Sequence, residues 1–216
     1  MIDECDRIIS RLQNGGIMNP WSNLYINQKG MELMSLSFVE YKNAASHKKK
    51  VKKLYLEAFP REERVPFTLL AAREKKGNGE LLEIKDGDIF VGLVSVLRYK
   101  DLAYIFYLAI DDGLRGRGYG SSVLSALKER YRGCRIFLAR EQLDKDADNY
   151  EQRVSRHRFY QKNGMVDFPC KITEQGVIYD VMGIGDDVRA EEYDALITEW
   201  AGKFFRKLFN MRIIED

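Results

Sequence analysis

Apolar residues along the chain alternate between a period of two and a period of about 3.6, and the switches mark its elements. Ser35-Leu-Ser-Phe-Val-Glu-Tyr41 reads as a strand. From Ser46, a candidate N-cap, residues Val51, Leu54, Tyr55, Ala58 and Phe59 recur at helical spacing until Pro60 ends the run. A charged loop, Pro60 to Pro66, leads into a second helix that stops near Gly77. Glu80 to Lys85 and Ile89 to Tyr99 are strand-like and flank Asp86-Gly87, a strong hairpin signal. Tyr99-Lys100-Asp101 then turns into the apolar strand Leu102 to Ile110. Strands joined so tightly are antiparallel, because a parallel crossover needs about a dozen residues or more.

A glycine-dense stretch, Asp111 to Gly120, opens a helix from Ser121 to Tyr131. Arg135 to Ala139 is expected to return parallel to the Leu102 strand through a right-handed crossover. After the polar connector Glu141 to Asp148, the spacing of Asp148-Asn-Tyr-Glu151 predicts a capping box and a helix to Asn163, stopped by Gly164. Met165 to Thr173 and Val177 to Met182 form a final hairpin about Glu174-Gln-Gly176. The order β-α-α-β-β-β-α-β-α-β-β predicts a mixed α+β domain over residues 34–184.

Two flanks differ from this core. In residues 1–33, Cys5, Ile8, Ile9 and Leu12 fit one short helix, broken by Gly15-Gly16 and Asn19-Pro20. Met31 and Met34 stand immediately before the first strand, so the extension reads as loosely attached. In residues 185–216, Tyr193, Leu196, Ile197, Trp200, Phe204 and Leu208 form one helical stripe from Ala190 to Phe209. Such a stripe must be covered, by its own domain or by a second copy in a homodimer.

With 216 residues, 45% hydrophobic content and a formal net charge of +2, the chain can bury a real core and gives no general support for nucleic-acid binding. No apolar run approaches the ~20 residues of a membrane-spanning helix, and no secretory signal opens the sequence. Three scattered cysteines, Cys5, Cys134 and Cys170, fit a reducing compartment, so a cytoplasmic protein without membrane association is expected. His47 and His157 lack partners at metal spacing, so no metal is expected. The run Lys48, Lys49, Lys50, Lys52 and Lys53 reads as a solvated helix face, with recognition of an anionic group as the alternative.

The chemistry concentrates at Asp111 to Ser121. A glycine-rich turn that opens a helix leaves backbone N–H groups pointing outward with the positive end of the dipole, which makes an anion site suited to phosphate. Arg115 and Arg117 add charge, while Gly116, Gly118 and Gly120 permit close approach. Without such a ligand, the arginines are solvated charges and the glycines an ordinary turn. The nucleoside triphosphatase pattern is absent. The dinucleotide pattern fails because Ser121 stands in the place of its third glycine, and an antiparallel meander precedes the loop where an oxidoreductase would have a βαβ unit.

Arg115-Gly-Arg-Gly118-Tyr-Gly120 does fit [QR]-x-x-G-x-[GA], and here the chain resembles the GNAT superfamily of acyl-CoA-dependent N-acetyltransferases. The element order resembles the GNAT fold: a mixed, mostly antiparallel sheet with a splayed parallel strand pair, flanked by helices. Arg158-Phe-Tyr-Gln-Lys-Asn-Gly-Met165 is similar to the family's R-x-F-Y-x-x-x-G-F segment, with Phe159 directly after Arg158 and Met165 in place of phenylalanine. Ala147 to Arg153 resembles a connector of some bacterial members.

The resemblance implies acetyl transfer from acetyl-CoA to a primary amine of a small-molecule or peptide acceptor. It places the pantetheine arm along Leu108, Ala109 and Ile110, and the pyrophosphate on the 115–121 loop, on backbone N–H groups of Arg117, Gly118, Gly120 and Ser121, with Gly116 and Tyr119 completing the turn. The N–H of Leu108 or Ile110 would face the developing oxyanion. Tyr160 is the expected proton donor to the leaving thiolate, its alternative being a core aromatic beside Phe159. Glu141 is a candidate base, its alternatives being a solvated loop carboxylate or an anchor for a cationic acceptor. Glu62, Glu63 and Glu141 point to such an acceptor, entering between the Pro60 to Pro66 loop, the connector and the last hairpin. A second class is a module of the same fold that holds acyl-CoA as a sensor without turnover.

Overall fold

The computed structural model describes residues 24–26, 33–44, 47–76, 79–174 and 176–215. The helix expected on Cys5, Ile8, Ile9 and Leu12, the Ser46 cap and the Gly77 stop lie outside the described residues. Nine strands form one sheet: β1 (Leu24–Ile26), β2 (Leu33–Glu40), β3 (Glu80–Asp86), β4 (Ile89–Tyr99), β5 (Leu102–Ile110), β6 (Arg135–Glu141), β7 (Val166–Glu174), β8 (Val177–Ile184) and β9 (Arg212–Glu215). They lie in the order β1-β2-β3-β4-β5-β6-β8-β7-β9. Every neighbouring pair is antiparallel except β5 and β6. The α-helices among the described residues are α1 (Lys48–Ala58), α2 (Phe67–Lys76), α3 (Tyr119–Arg130), α4 (Tyr150–Lys162), α5 (Ala190–Ala201) and α6 (Lys203–Leu208).

The central strands are apolar on both sides because helices cover both faces of the sheet. On one face Tyr55 of α1, Leu70 of α2 and Trp200 of α5 pack against Leu97, Tyr104 and Phe137. On the other, Val123 and Leu127 of α3 pack against Val96, Ile105 and Leu138, with Phe159 and Tyr160 of α4 at the margin. Burying each large side chain contributes about 1.5–3 kcal/mol, so both layers carry the fold.

Three local expectations change. The capping box at Asp148 does not form: α4 begins at Tyr150 with Asn149 as its N-cap and no side-chain cap. The Asn149 side chain is engaged elsewhere, donating to Glu141 (3.0 Å) and accepting from Arg153 (2.6 Å). The C-terminal stripe is divided, because the chain turns at Gly202 (φ 85°) between α5 and α6. Tyr193, Leu196, Ile197 and Trp200 are buried on the chain's own sheet, while Phe204 and Leu208 are 74% and 62% exposed. Finally, the segment after residue 184 contributes strand β9, paired with β7, and so continues the sheet.

Arg135 at the start of β6 fastens this C-terminal segment. Its guanidinium donates to Glu192 (2.7 and 3.0 Å), Asp101 (2.7 and 3.1 Å) and the Asp187 carbonyl (2.9 Å). The hydrogen bonds from Arg135 pull the Glu192 carboxyl down from 4.5 to about 2. The folded value lies below the unfolded one, so this stabilisation is complete above about pH 4.5 and is lost as pH falls toward 2. Urea unfolding at stepped pH is expected to show that acid limb, and Arg135→Met to flatten it.

Candidate functional site

The parallel pair is short. β5 and β6 are in register only at Leu102↔Arg135, Ala103↔Ile136 and Tyr104↔Phe137. Beyond Tyr104, β5 continues to Ile110 on β4, and beyond Phe137, β6 continues to Glu141 on β8, so the two part into a wedge. A bulge in β5 coincides with the parting: Ser95 faces Tyr107 and Val96 faces Ile105, leaving Phe106 as the extra residue. Bulges bend and twist a strand. This one also resets the alternation, because Phe106 and Tyr107 join the same face as Leu102 and Tyr104, while Leu108 and Ile110 join Ala103 and Ile105.

The backbone of the free stretch has a definite orientation. The N–H of Asp111 donates to Val91 of β4 (2.9 Å), so by the two-residue period Leu108 and Ile110 turn their N–H and C=O groups away from β4, into the wedge. The Ile110 carbonyl confirms that sense by accepting from Arg115 Nε at 3.3 Å. Ala109 faces the opposite way, against Gly92, where an added Cβ would lie 2.2 Å from the Ala109 carbonyl oxygen. Of the three pantetheine residues expected on β5, Leu108 and Ile110 therefore present backbone groups, and Ala109 holds the strand in the sheet.

At the end of β5 a 3-10 turn, Asp112–Leu114, leads to the N-terminus of α3. Gly116 (φ 74°) and Gly118 (φ 91°) occupy the left-handed region, which side chains rarely adopt. Gly118 is the N-cap, and no side chain caps the helix, so its first turn presents backbone N–H groups. Gly120 is small for a different reason: a Cβ there would meet Phe159 of α4 at 3.0 Å. Tyr119 points inward, its hydroxyl donating to Asp86 at 2.9 Å, and thereby ties the helix start to the β3–β4 hairpin. Arg115 folds back onto Asp112 (2.6 Å), and the Arg117 side chain is exposed. Ser121 follows in the first turn. An uncapped helix start with two left-handed glycines can cradle an anionic group such as a diphosphate.

The acetyltransferase (GNAT) family profile matches residues 48–165, more than half of the chain, and spans the wedge, the glycine loop and all of α4. The chain belongs to the GNAT acetyltransferase family. Among solved structures, a GNAT-family protein from Bacteroides thetaiotaomicron is similar at 24% identity and a TM-score of 0.62, over 77% of this chain and 98% of that one. An aminoglycoside 6'-N-acetyltransferase complexed with coenzyme A gives 18% identity and 0.55, over 72% and 100%. The corresponding enzyme from Enterococcus faecium gives 17% and 0.52, again over 72% and 100%. These likenesses establish the GNAT fold. Among curated proteins, no sequence matches this chain.

In this GNAT domain the two expected catalytic residues lie on different elements, Tyr160 on α4 and Glu141 at the end of β6. Tyr160 is half-buried on the α3 side of the sheet, beside Phe159 at a ring distance of 5.3 Å. Both rings border the same core, and no described residue hydrogen-bonds the Tyr160 hydroxyl. Burial pushes its phenol above the usual value, opposed by Arg156. Glu141, at the end of β6, is held by Arg156 (2.6 Å), Asn149 (3.0 Å) and Arg153 (3.4 Å). Its oxygens are engaged by donors, which suits fastening α4 to the sheet more than accepting a proton. The histidines sit in separate hydrogen-bonding contacts with carboxylates, His47 with Glu83 and His157 with Asp167.

Sequence reasoning missed the opposite face of the wedge. There Tyr104, at the last paired residue of β5, stacks on Phe137 (4.6 Å, 4°) and donates to Glu174 at 2.8 Å. Tyr193 of α5 donates to the same carboxylate oxygen at 2.6 Å. Tyr107 accepts from the Val65 N–H (3.1 Å) and donates to the Glu63 carbonyl (3.0 Å), which fastens the 60–66 loop over this face. The available signal was the pair of tyrosines, Tyr104 and Tyr107, in an otherwise apolar run; Glu174 read as part of a turn.

Proposed function

We propose that the protein transfers the acetyl group of acetyl-CoA to a primary amine by direct attack on the thioester. The wedge carries this reading: β5 leaves β6 after Tyr104 and turns the backbone of Leu108 and Ile110 toward the gap. A pantetheine amide chain can pair there as an added strand, and the cradle at Gly116 to Ser121 lies in line to hold the diphosphate. The N–H of Leu108 or Ile110 then faces the acetyl oxygen, where a fixed donor stabilises the charge that develops during attack. Tyr160 donates a proton to the departing thiolate; burial keeps its phenol protonated through neutral pH. Glu141 anchors α4, and with it Tyr160, to the end of β6.

Titration calorimetry with coenzyme A, followed by thiol release assayed with acetyl-CoA and a panel of alkyl diamine, aminoglycoside and peptide amines, tests this. Coenzyme binding with turnover of at least one amine is expected. Binding without thiol release would favour an acyl-CoA sensor, and no binding would remove the reading.

A further inference from the structure

The half-buried carboxylate at the apex of the wedge has no place in the reaction as set out above. Glu174 ends β7, and its Oε1 receives both the Tyr104 hydroxyl (2.8 Å) and the Tyr193 hydroxyl (2.6 Å). No lysine, arginine or histidine among the described residues forms an ion pair or hydrogen bond with it. Its Oε2 takes no hydrogen bond from the described residues and is not sealed from solvent. A half-buried carboxylate with one oxygen open and no cationic partner among the described residues is placed to receive a cation from solution.

The surroundings define that cation. The tyrosine that holds Glu174 is the residue where β5 and β6 separate, so the carboxylate stands over the apex of the gap in which the thioester would lie. It lies on the face opposite α3 and Tyr160. Phe106 and Tyr107 line the same face, with ring centroids 4.4 Å apart, and offer π-faces that attract an ammonium. Glu63 adds negative potential from the 60–66 loop.

Resting on the proposed acetyl transfer, we infer that Glu174 is the residue that binds the acceptor's protonated primary amine and takes the proton that frees its lone pair. One N–H proton passes to Oε2, leaving a neutral amine. The N–C bond then forms as the C–S bond breaks, and the thiolate takes the Tyr160 proton. The second N–H proton replaces the one Tyr160 gave up, and the proton on Glu174 leaves to solvent. The acceptor class is thus an unhindered alkylammonium. Donor and acceptor of protons would act from opposite faces of the sheet through the gap between its two parted strands. Burial pushes the Glu174 carboxyl above its usual value, against the two tyrosine hydrogen bonds and with the Glu63 charge, which makes it a better proton acceptor than a free carboxylate. Among the other titratable groups packed on this face, burial pushes the phenols of Tyr55 and Tyr107 up, so both stay neutral.

The test compares two probes by calorimetry: S-(2-aminoethyl)-coenzyme A, which carries an ammonium past the sulfur, and its uncharged counterpart S-propyl-coenzyme A. The wild type is expected to prefer the charged probe by about tenfold or more, the scale of one charge-assisted hydrogen bond. Glu174→Gln is expected to bind both probes equally, at the wild-type affinity for S-propyl-coenzyme A. In the wild type, independently of any variant, the preference is expected to fade as pH falls and Glu174 takes up a proton, while S-propyl-coenzyme A binding holds. An undiminished preference in Glu174→Gln, or one independent of pH, overturns the assignment to Glu174. Failure of both probes to bind the wild type defeats the acetyl-CoA reading itself, and this inference with it.

Discussion

Replacing Gly118 by aspartate is expected to abolish coenzyme binding while leaving the fold in place. Gly118 is the N-cap of α3 at φ 91°, with no side-chain cap above the first turn. Aspartate is a favoured N-cap and tolerates the left-handed region better than most residues, so the helix loses little. Its carboxylate would occupy the N–H groups meant for the diphosphate and oppose it in charge. At about 4 Å and an effective dielectric constant near 20, that opposition is about 4 kcal/mol, roughly a thousandfold in Kd. Calorimetry with coenzyme A measures the loss, and an unchanged melting curve shows that the fold survives. Gly118→Asn separates charge from bulk: it shares the shape without the charge, and is expected to retain most of the affinity. If aspartate bound coenzyme A as well as glycine does, the diphosphate could not lie at this helix start.

Tyr160→Phe is expected to lower kcat by about a hundredfold, the low end of what a positioned proton donor contributes, with coenzyme affinity nearly unchanged. The substitution removes only a hydroxyl, and no described residue hydrogen-bonds it, so the packing beside Phe159 is retained. A structural role alone would show as a lowered melting temperature with normal turnover. Single-turnover thiol release separates the chemical step from product release. A kcat equal to that of the wild type would assign the thiolate's proton to water or to another group.

Tyr160 and Glu174 would fail in different measurements. Loss of the phenol acts after the amine has bound, so it lowers kcat and leaves KM for the amine close to its wild-type value. Loss of the carboxylate acts on the ammonium before attack and changes probe preference even without turnover.

The readable parts of the site were those written in consecutive residues. Gly116 to Gly120 announce the turn and helix start because left-handed turns and helix starts are local events, specified by residues within a few positions of one another. The Asp86-Gly87 hairpin and the turn at Lys100-Asp101 fixed an antiparallel meander for the same reason. The capping box at Asp148 was a local signal that lost to tertiary competition: Asn149 is drawn to Glu141 and Arg153. The stripe from Tyr193 to Leu208 had the spacing of one helix, but Gly202 redirects the chain and leaves Phe204 and Leu208 outside the core.

The sequence by itself determined the element order over residues 34–184, the antiparallel meander and the glycine turn that opens α3, because each depends on backbone preferences and hydrophobic period over short spans. Only the tertiary structure decided where β5 and β6 part, since the Phe106 bulge is defined by register against β4 and not by the residues of β5 alone. It also decided that Glu141 is engaged by arginines while Glu174, 70 positions from its partner Tyr104, is half-buried with no cationic partner among the described residues. A carboxylate's chemistry is set by what surrounds it in space, and residues that far apart meet only when the sheet has formed.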